Sequence, residues 1–132
     1  MSMKVLLADP DWRFAHKASA YLEAHAHLVV THRSVQDALD CARHWQPDLV
    51  ILAAELAEKG LIAGVYSLQP RPAVLLTEHM DRYDRAWRVW QSGGDELLMK
   101  PLFHIEELHQ AIVTALENLV AGSRSRPAAA SA

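Results

Sequence analysis

The chain has 132 residues, of which 51% are hydrophobic and 22% are charged. This length and composition exclude a disordered chain and a fibrous repeat, and they predict one folded domain. The formal charge of −3 excludes a global basic field for binding nucleic acid. Cys41 has no partner for an intrachain disulfide, and the first apolar run is too short for a secretory signal or a membrane span. A soluble, cytoplasmic domain is therefore expected.

Five short apolar runs are spaced along the chain, at residues 5–8, 28–31, 49–54, 73–77 and 97–99. Runs without polar alternation are typical of strands buried on both faces. In the segments between these runs, apolar residues recur at the spacing of a helix. Asp11 and Ser34 are the predicted N-caps of the first two helices, and the other three are predicted at residues 61–68, 83–90 and 105–119.

Alternation of buried strands with helices predicts a parallel sheet with helices on both faces, because helical crossovers are right-handed and the strands have no polar face to show water. The predicted fold is a single doubly wound α/β sandwich with five parallel strands. It occupies residues 1–121. Residues 122–132 carry almost nothing to bury and are predicted to be a flexible tail or linker.

Function in an open α/β sheet is expected at the carboxyl ends of the strands. Polar residues follow four of the five predicted strands there, and their convergence in one crevice is typical of phosphate and metal chemistry. The candidates are Asp9 and Asp11 after the first strand, the segment from Ala53 to Glu55 after the third, Thr77 and Glu78 after the fourth, and Lys100 and Pro101 after the fifth.

These strand ends resemble those of the receiver domain of bacterial response regulators, over residues 3–120. The resemblance rests on residues 4–9, 47–52, 60–61, 72–77, 93–96 and 100–101. It implies a CheY-like, flavodoxin-like (βα)5 fold and a place in two-component phosphorelay signalling. In that family an aspartate ending the third strand accepts a phosphoryl group from a histidine kinase. Two acidic residues after the first strand hold Mg²⁺ there, and a Thr or Ser and a Lys contact the phosphoryl oxygens.

The chain departs from the family pattern at the reacting positions. Ala53 stands at the phosphoacceptor position and has no nucleophilic oxygen. Pro10 stands at the second acidic position, which leaves only Asp9 and Asp11 for a cation, so Mg²⁺ binding is expected to be weak or absent. The resemblance is therefore to a degenerate receiver, a pseudo-receiver without enzymatic activity or cofactor.

Other positions also differ from the family. Glu78 stands where a small residue usually admits the phosphodonor, Leu97 replaces a switch aromatic, and Ala57 replaces a proline. Thr77 and Lys100 are retained.

Three geometric expectations follow for the crevice. Lys100, lacking a phosphoryl partner, is predicted to pair permanently with Asp9. The Lys100–Pro101 peptide bond is predicted to be cis, as the resemblance implies and as the turn toward the last helix favours. If extended geometry continues beyond the third strand, Glu55 would face the same side as Ala53, where its negative charge would substitute for a phosphorylated aspartate.

A partner surface is predicted around the fourth helix. Trp87 and Trp90 share a helical face, with Arg85 and Arg88 on its flank, and Leu97 is included in this surface. The resemblance places dimerisation or effector docking on the fourth helix, fifth strand and last helix. In a homodimer each arginine would reach a carboxylate of the partner chain, with Asp95, Glu96 and Glu117 as the candidates.

Two functions from different classes remain open at this stage. The first is a phosphorylation-independent protein-interaction module that binds other signalling proteins, with no nucleic-acid or membrane partner. The second is a small-anion or metabolite sensor that binds its ligand with Lys100 and Thr77. The eight histidines are scattered over different elements without zinc-site spacing, so no metal site is expected.

Overall fold

A five-stranded parallel sheet forms the centre of the computed structural model, which describes residues 2–122 and residue 124. The strands are β1 (Lys4–Ala8), β2 (Leu28–His32), β3 (Leu49–Ala53), β4 (Ala73–His79) and β5 (Glu96–Lys100). Their order in the sheet is β2-β1-β3-β4-β5. The chain therefore moves to one side of β1 and then to the other, which confirms the doubly wound α/β fold.

Five helical segments connect the strands and close the fold. They are α1 (Trp12–Ala24), α2 (Val35–Trp45), α3 (the consecutive pieces Ala54–Leu56, Ala57–Leu61 and Ile62–Tyr66), α4 (Tyr83–Trp90) and α5 (Glu106–Ala121). A 3₁₀ turn, Met80–Arg82, precedes α4. The predicted caps are confirmed: Asp11 accepts a hydrogen bond from the backbone N–H of Phe14, and Ser34 Oγ accepts one from that of Asp37, both at 3.3 Å.

The sheet is buried on both faces, as the apolar runs predict. Successive side chains of a strand point to opposite faces, so Val5 and Leu7 pack against α1 and α5, whereas Leu6 packs against α2 and α3. Phe14 and Leu22 of α1 lie in the first of these two cores. Two apolar layers thus hold the carboxyl ends of the strands at one edge.

Three boundaries differ from those expected. β4 continues through Glu78 to His79, so Thr77 and Glu78 lie within a strand rather than in the loop after it. α3 begins directly after Ala53 and is interrupted at Gly60, whose φ of +100° is readily adopted only by glycine. It ends at Tyr66 rather than at Leu68.

The predicted tail falls mostly outside the described residues. Gly122 ends α5 with a left-handed backbone conformation, as a C-terminal cap does. Arg124 lies over the Trp90 ring at 3.8 Å and donates hydrogen bonds to the carbonyl oxygens of Trp90, Gly93 and Gly94. The chain is thus still in contact with the folded domain at residue 124.

Candidate functional site

The predicted crevice residues meet at the carboxyl edge of the sheet. Asp9 follows β1 directly, and Ala53 ends β3 next to Thr77 of β4 in the strand register. Lys100 ends β5 opposite His79. The sheet order places β1 and β4 on either side of β3, so a methyl group stands between the polar side chains of two flanking strands.

Asp9 is the centre of the crevice and is buried. Its Oδ2 atom accepts hydrogen bonds from Thr77 Oγ1 at 3.0 Å and from Lys100 Nζ at 2.9 Å. Its Oδ1 atom accepts one from the backbone N–H of Asp11 at 2.9 Å. The predicted pairing of Lys100 with Asp9 is confirmed, and both carboxylate oxygens of Asp9 are engaged.

Asp11 supplies a second negative charge to Lys100. Its Oδ2 atom lies 3.5 Å from Lys100 Nζ and 3.1 Å from His79 Nε2. Burial alone would raise the pKa of Asp11, but the hydrogen bond from the backbone of Phe14 and the charges of Lys100 and His79 together lower it below its ordinary value. The carboxylate form is therefore favoured, and Lys100 is held between two anions.

Lys100 itself is fixed from several sides. Its side chain is only 4% exposed, and its ammonium lies 5.0 Å from the centre of the Phe14 ring. The Lys100–Pro101 peptide is cis, as predicted. A buried ammonium between two carboxylates is costly to move, because each charge left behind would lose its partner in a medium of low dielectric.

The residues present do not fit the divalent cation that receiver domains use. Mg²⁺ needs oxygen ligands at about 2.0–2.1 Å in octahedral geometry. Here the Lys100 ammonium bridges Asp9 and Asp11, Pro10 offers no carboxylate, and Ala53 offers no oxygen. Among residues 2–122 and 124, no group of three or more His, Cys, Asp or Glu side chains is arranged to hold a metal ion.

Glu78 lies within β4, whereas the sequence placed it in the loop after this strand, and it is paired with Arg85. Its side chain is 3% exposed and accepts two hydrogen bonds from the Arg85 guanidinium, while Oε1 also accepts one from the backbone N–H of His79 at 2.7 Å. Donating these hydrogen bonds to the Glu78 carboxylate raises the pKa of Arg85. Arg85 is therefore unavailable to a carboxylate of a second chain.

Glu55 does not occupy the position that extended geometry would give it. Ala54–Leu56 is helical, so the alternation of strand side chains ends at Ala53. Glu55 is half-buried, and its charge acts on Arg85. Glu55 is therefore not placed beside Ala53 as a substitute for a phosphorylated aspartate.

Several residues of the predicted partner surface are buried instead. Trp90 and Leu97 are 7% and 3% exposed, because both pack in the core between the sheet and the helices on its α3 side. Asp95 binds the guanidinium of Arg71 with two hydrogen bonds of 2.9 and 3.1 Å, and Glu96 is also buried. These carboxylates cannot serve as the partners of arginines across a dimer.

Only part of the predicted partner surface is exposed in the described structure. Tyr83 and Trp87 are 41% and 36% exposed, and their rings stack with centroids 6.4 Å apart. Met80, in the preceding turn, is also exposed. Arg88 forms an exposed ion pair with Glu58 of α3. The aromatic surface therefore consists of Met80, Tyr83 and Trp87, which we call the α4 aromatic surface.

The sensor function predicted from the sequence requires Lys100 and Thr77 to bind an anion. In the structure both donate to the same oxygen of Asp9. An anion at this point would also meet the charge of Asp11. These contacts do not favour an anion site at Lys100 and Thr77.

Sequence reasoning does not predict His79 and Arg71 as residues of the site. The signal for His79 is its place two positions beyond Thr77, at the end of the same strand. Arg71 precedes the Pro72 that opens β4, and nothing in its local sequence indicated that it would bind Asp95, 24 residues further along.

No helix in the described part of the chain is long and apolar enough to span a membrane.

Comparison with solved structures supports the fold. NtrX from Brucella abortus, in complex with ADP, superposes with a TM-score of 0.80 at 20% sequence identity over 92% of this chain, and the chain spans 28% of NtrX. The signal receiver domain of a LuxO repressor protein from Vibrio parahaemolyticus gives 0.74 at 18% identity, covering 92% of this chain and 95% of that one.

The chemotaxis response regulator CheY4 of Vibrio cholerae gives a TM-score of 0.73 at 19% identity, covering 88% of this chain and all of CheY4. No protein-family model and no curated protein matches the chain. Likeness at this level of identity establishes architecture. The chain thus has the CheY-like fold found in response regulator receiver domains.

Proposed function

We propose that this chain is a pseudo-receiver that works as a phosphorylation-independent protein-interaction module in bacterial signal transduction. One observation carries the proposal: beside Ala53, where receivers have their acceptor aspartate, the Lys100 ammonium is already bound between Asp9 and Asp11. Ala53 offers no nucleophilic oxygen to phosphorylate, and the Lys100 ammonium is a permanent cation in place of an exchangeable one. We therefore propose no enzymatic activity and no cofactor.

The crevice is in one fixed state on this proposal. Thr77 and Lys100, the two groups that contact phosphoryl oxygens in receivers, both donate to Asp9 Oδ2. Releasing either one would leave a buried polar group without its partner, at a cost of about 1–3 kcal/mol or more for a charged group. Signalling by movement of these two side chains is thus unfavourable.

The pair of Glu78 and Arg85 supports the same conclusion from the β4 side. It joins β4 to α4 directly after Thr77, and Glu58 and Arg88 form a second link between α3 and α4. In this arrangement the buried Glu78–Arg85 pair holds α4 against β4, and the exposed Glu58–Arg88 pair adds a weaker contact with α3. The α4 aromatic surface is therefore presented constantly rather than on a signal.

The α4 aromatic surface adjoins a groove of about 760 Å³ that runs between Met80 and α5. Leu98, Met99 and Ala111 form its apolar floor, and Glu106 and Glu107 lie at its side. Exposed aromatic and methionine side chains beside an apolar groove are typical of protein interfaces. We propose that this surface binds another signalling protein, and that a second copy of the chain is the simplest such partner.

Sedimentation velocity and capture from a cell extract test the partner surface. Trp87→Ala should abolish dimerisation or the capture of a partner. The melting temperature of this variant should stay close to that of the unsubstituted chain. Trp12→Ala is the matched control, because Trp12 is an exposed tryptophan outside the α4 aromatic surface. A chain that sediments as a monomer at high micromolar concentration would exclude the homodimer, and equal effects of the two substitutions would overturn the proposed surface.

A further inference from the structure

A cleft of about 400 Å³ lies between α1 and the loop that follows β5, next to the crevice at Asp9. Its walls are of two kinds. Arg13 and Lys17 of α1 contribute cationic groups, whereas Phe14, Pro101 and Leu102 contribute apolar surface. A volume of this size is within the range of about 300–1,000 Å³ that is usual for small-molecule sites.

Arg13 and Lys17 belong to the basic residues that have no ion pair in the described part of the chain, as Lys59 does, and both of them line this cleft. Most described arginines are neutralised, for example Arg71 by Asp95, Arg85 by Glu78 and Arg88 by Glu58. Within the part of the chain that the structure describes, neither Arg13 nor Lys17 has a carboxylate within ion-pair distance. These two free cations are one helical turn apart and line the same cleft, in a chain whose net charge is −3.

The position of Arg13 on α1 is unfavourable for the helix. The first turn of α1 contains no acidic residue and includes Arg13, although the positive end of the helix dipole disfavours a cation there. The Trp12 ring lies 5.5 Å from the Arg13 guanidinium and holds it at the helix start by a cation–π contact. The helix thus adds its own positive potential to that of the two side chains.

Asp11 is the carboxylate that lines this cleft, and it is already engaged. It accepts a hydrogen bond from the backbone of Phe14 and contacts both Lys100 and His79. Lys100 also lines the cleft and offsets the negative charge of Asp11, so Arg13 and Lys17 add two further positive charges to it. A negatively charged ligand fits that potential.

We propose that this cleft binds a small phosphate monoester, with the phosphate between Arg13 and Lys17 and the organic group against Phe14 and Leu102. A phosphate monoester carries a charge of about −1.5 to −2 near neutral pH, which matches two cations. Arginine binds phosphate oxygens with two parallel hydrogen bonds, and lysine acts as a point charge beside it. The apolar wall requires a ligand larger than inorganic phosphate.

Phenyl phosphate is a suitable probe, titrated into the full chain while two-dimensional NMR records the backbone amides. We expect saturable shifts at residues 12–17 and near Leu102, with tighter binding than for inorganic phosphate. Arg13→Gln and Lys17→Gln should each weaken binding by about tenfold, which corresponds to about 1.4 kcal/mol. Lys59→Gln is the matched control, because Lys59 is exposed, has no ion pair in the described residues and lies on α3.

Each other outcome overturns the proposal. Absence of saturable shifts at millimolar phenyl phosphate excludes the site. Equal loss of affinity for phenyl phosphate in Lys17→Gln and Lys59→Gln shows that net charge alone causes the loss. Equal affinity for phenyl phosphate and inorganic phosphate removes the role of Phe14 and Leu102. Both basic side chains are exposed, so the variants should keep the melting temperature of the unsubstituted chain, and that measurement accompanies each titration.

Discussion

Lys100 Nζ lies 2.9 Å from Asp9 Oδ2, and both side chains are almost completely buried. The two residues are 91 positions apart, so this pair links the first strand to the last across the carboxyl edge of the sheet. Because water is excluded, the loss of one partner leaves an uncompensated charge, whereas neutralising both does not. The pair is thus a structural link at the carboxyl edge of the sheet.

Substitution of Lys100 by methionine should therefore be severely destabilising. Lys100→Met leaves Asp9 as a buried carboxylate without its cation, and we expect a loss of about 3–5 kcal/mol in the free energy of unfolding. Urea denaturation measures it. The double variant Asp9→Asn, Lys100→Met should regain a large part of the loss, and Lys17→Met, which is exposed, should change stability by only about 0.5 kcal/mol. A Lys100→Met variant as stable as the unsubstituted chain would contradict the buried pair.

The two arginines of α4 should differ in their contribution to stability. Arg85→Ala leaves Glu78 buried and unpaired, with an expected cost of about 3–5 kcal/mol. Arg88→Ala removes an exposed pair with Glu58, for which the expected cost is below about 1 kcal/mol. Thermal and urea unfolding of the two variants test this difference. Equal costs would show that the Glu78 pair is no more important than a surface contact.

This difference also affects how dimerisation is tested. Replacement of Arg85 and Arg88 by glutamate looks like a surface change from the sequence, but at Arg85 it would place a second carboxylate against buried Glu78. Loss of a dimer in that variant would report unfolding. Trp87→Ala avoids the difficulty, because Trp87 is about one-third exposed and its ring stacks on that of Tyr83.

The strands and the Asp9–Lys100 pair could be predicted from the sequence because both follow from local rules. A buried strand leaves an apolar run in the sequence, and parallel strands bring their carboxyl ends to one edge. The pairing of Glu78 with Arg85 could not be predicted in this way. It depends on β4 continuing two residues beyond Thr77 and on the angle at which α4 leaves the sheet, and neither is encoded in the spacing of apolar residues.

The sequence also does not predict which of these aromatic residues are buried and which are exposed. Trp87 and Trp90 share a helical face, yet only Trp87 is exposed. The turn at Gly93 and Gly94 folds back closely beneath Trp90, and a Cβ at Gly94 would lie 2.6 Å from a methyl carbon of Leu76. Arg124 then covers the Trp90 ring from outside. Contacts from three separate segments therefore decide the burial of one side chain.

Stability should depend on pH through His27. Burial, with the neighbouring charge of His25, lowers the pKa of His27 below its ordinary value of 6.5, and its Nδ1 atom accepts a hydrogen bond from the backbone N–H of Met3. The unfolded chain therefore binds the proton first as the pH falls. Stability should be constant above about pH 6.5 on this account and decrease below it, until the pH reaches the lowered pKa of the folded state. His27→Gln should remove this part of the pH dependence of the urea midpoint, and an unchanged profile would contradict it.

Restoring the acidic residues should recover metal binding only in part. The double variant Ala53→Asp, Pro10→Asp supplies two carboxylates, but Lys100 still competes for Asp9, and Glu78 still stands beside Thr77. Paramagnetic broadening of the Asp9 amide by Mn²⁺ gives a direct measure of occupancy. We expect weak, millimolar binding in the variant. Submillimolar binding would indicate that Lys100 leaves Asp9 readily.

On the proposed function the crevice is fixed in one state and does not respond to phosphoryl chemistry. Two-dimensional NMR of the full chain, with Mg²⁺ and beryllofluoride added together, tests it most directly. The account predicts unchanged amide resonances at Thr77 and Lys100, because Ala53 offers no oxygen to the beryllium and the Lys100 ammonium already binds Asp9. Saturable shifts at those two residues would contradict it.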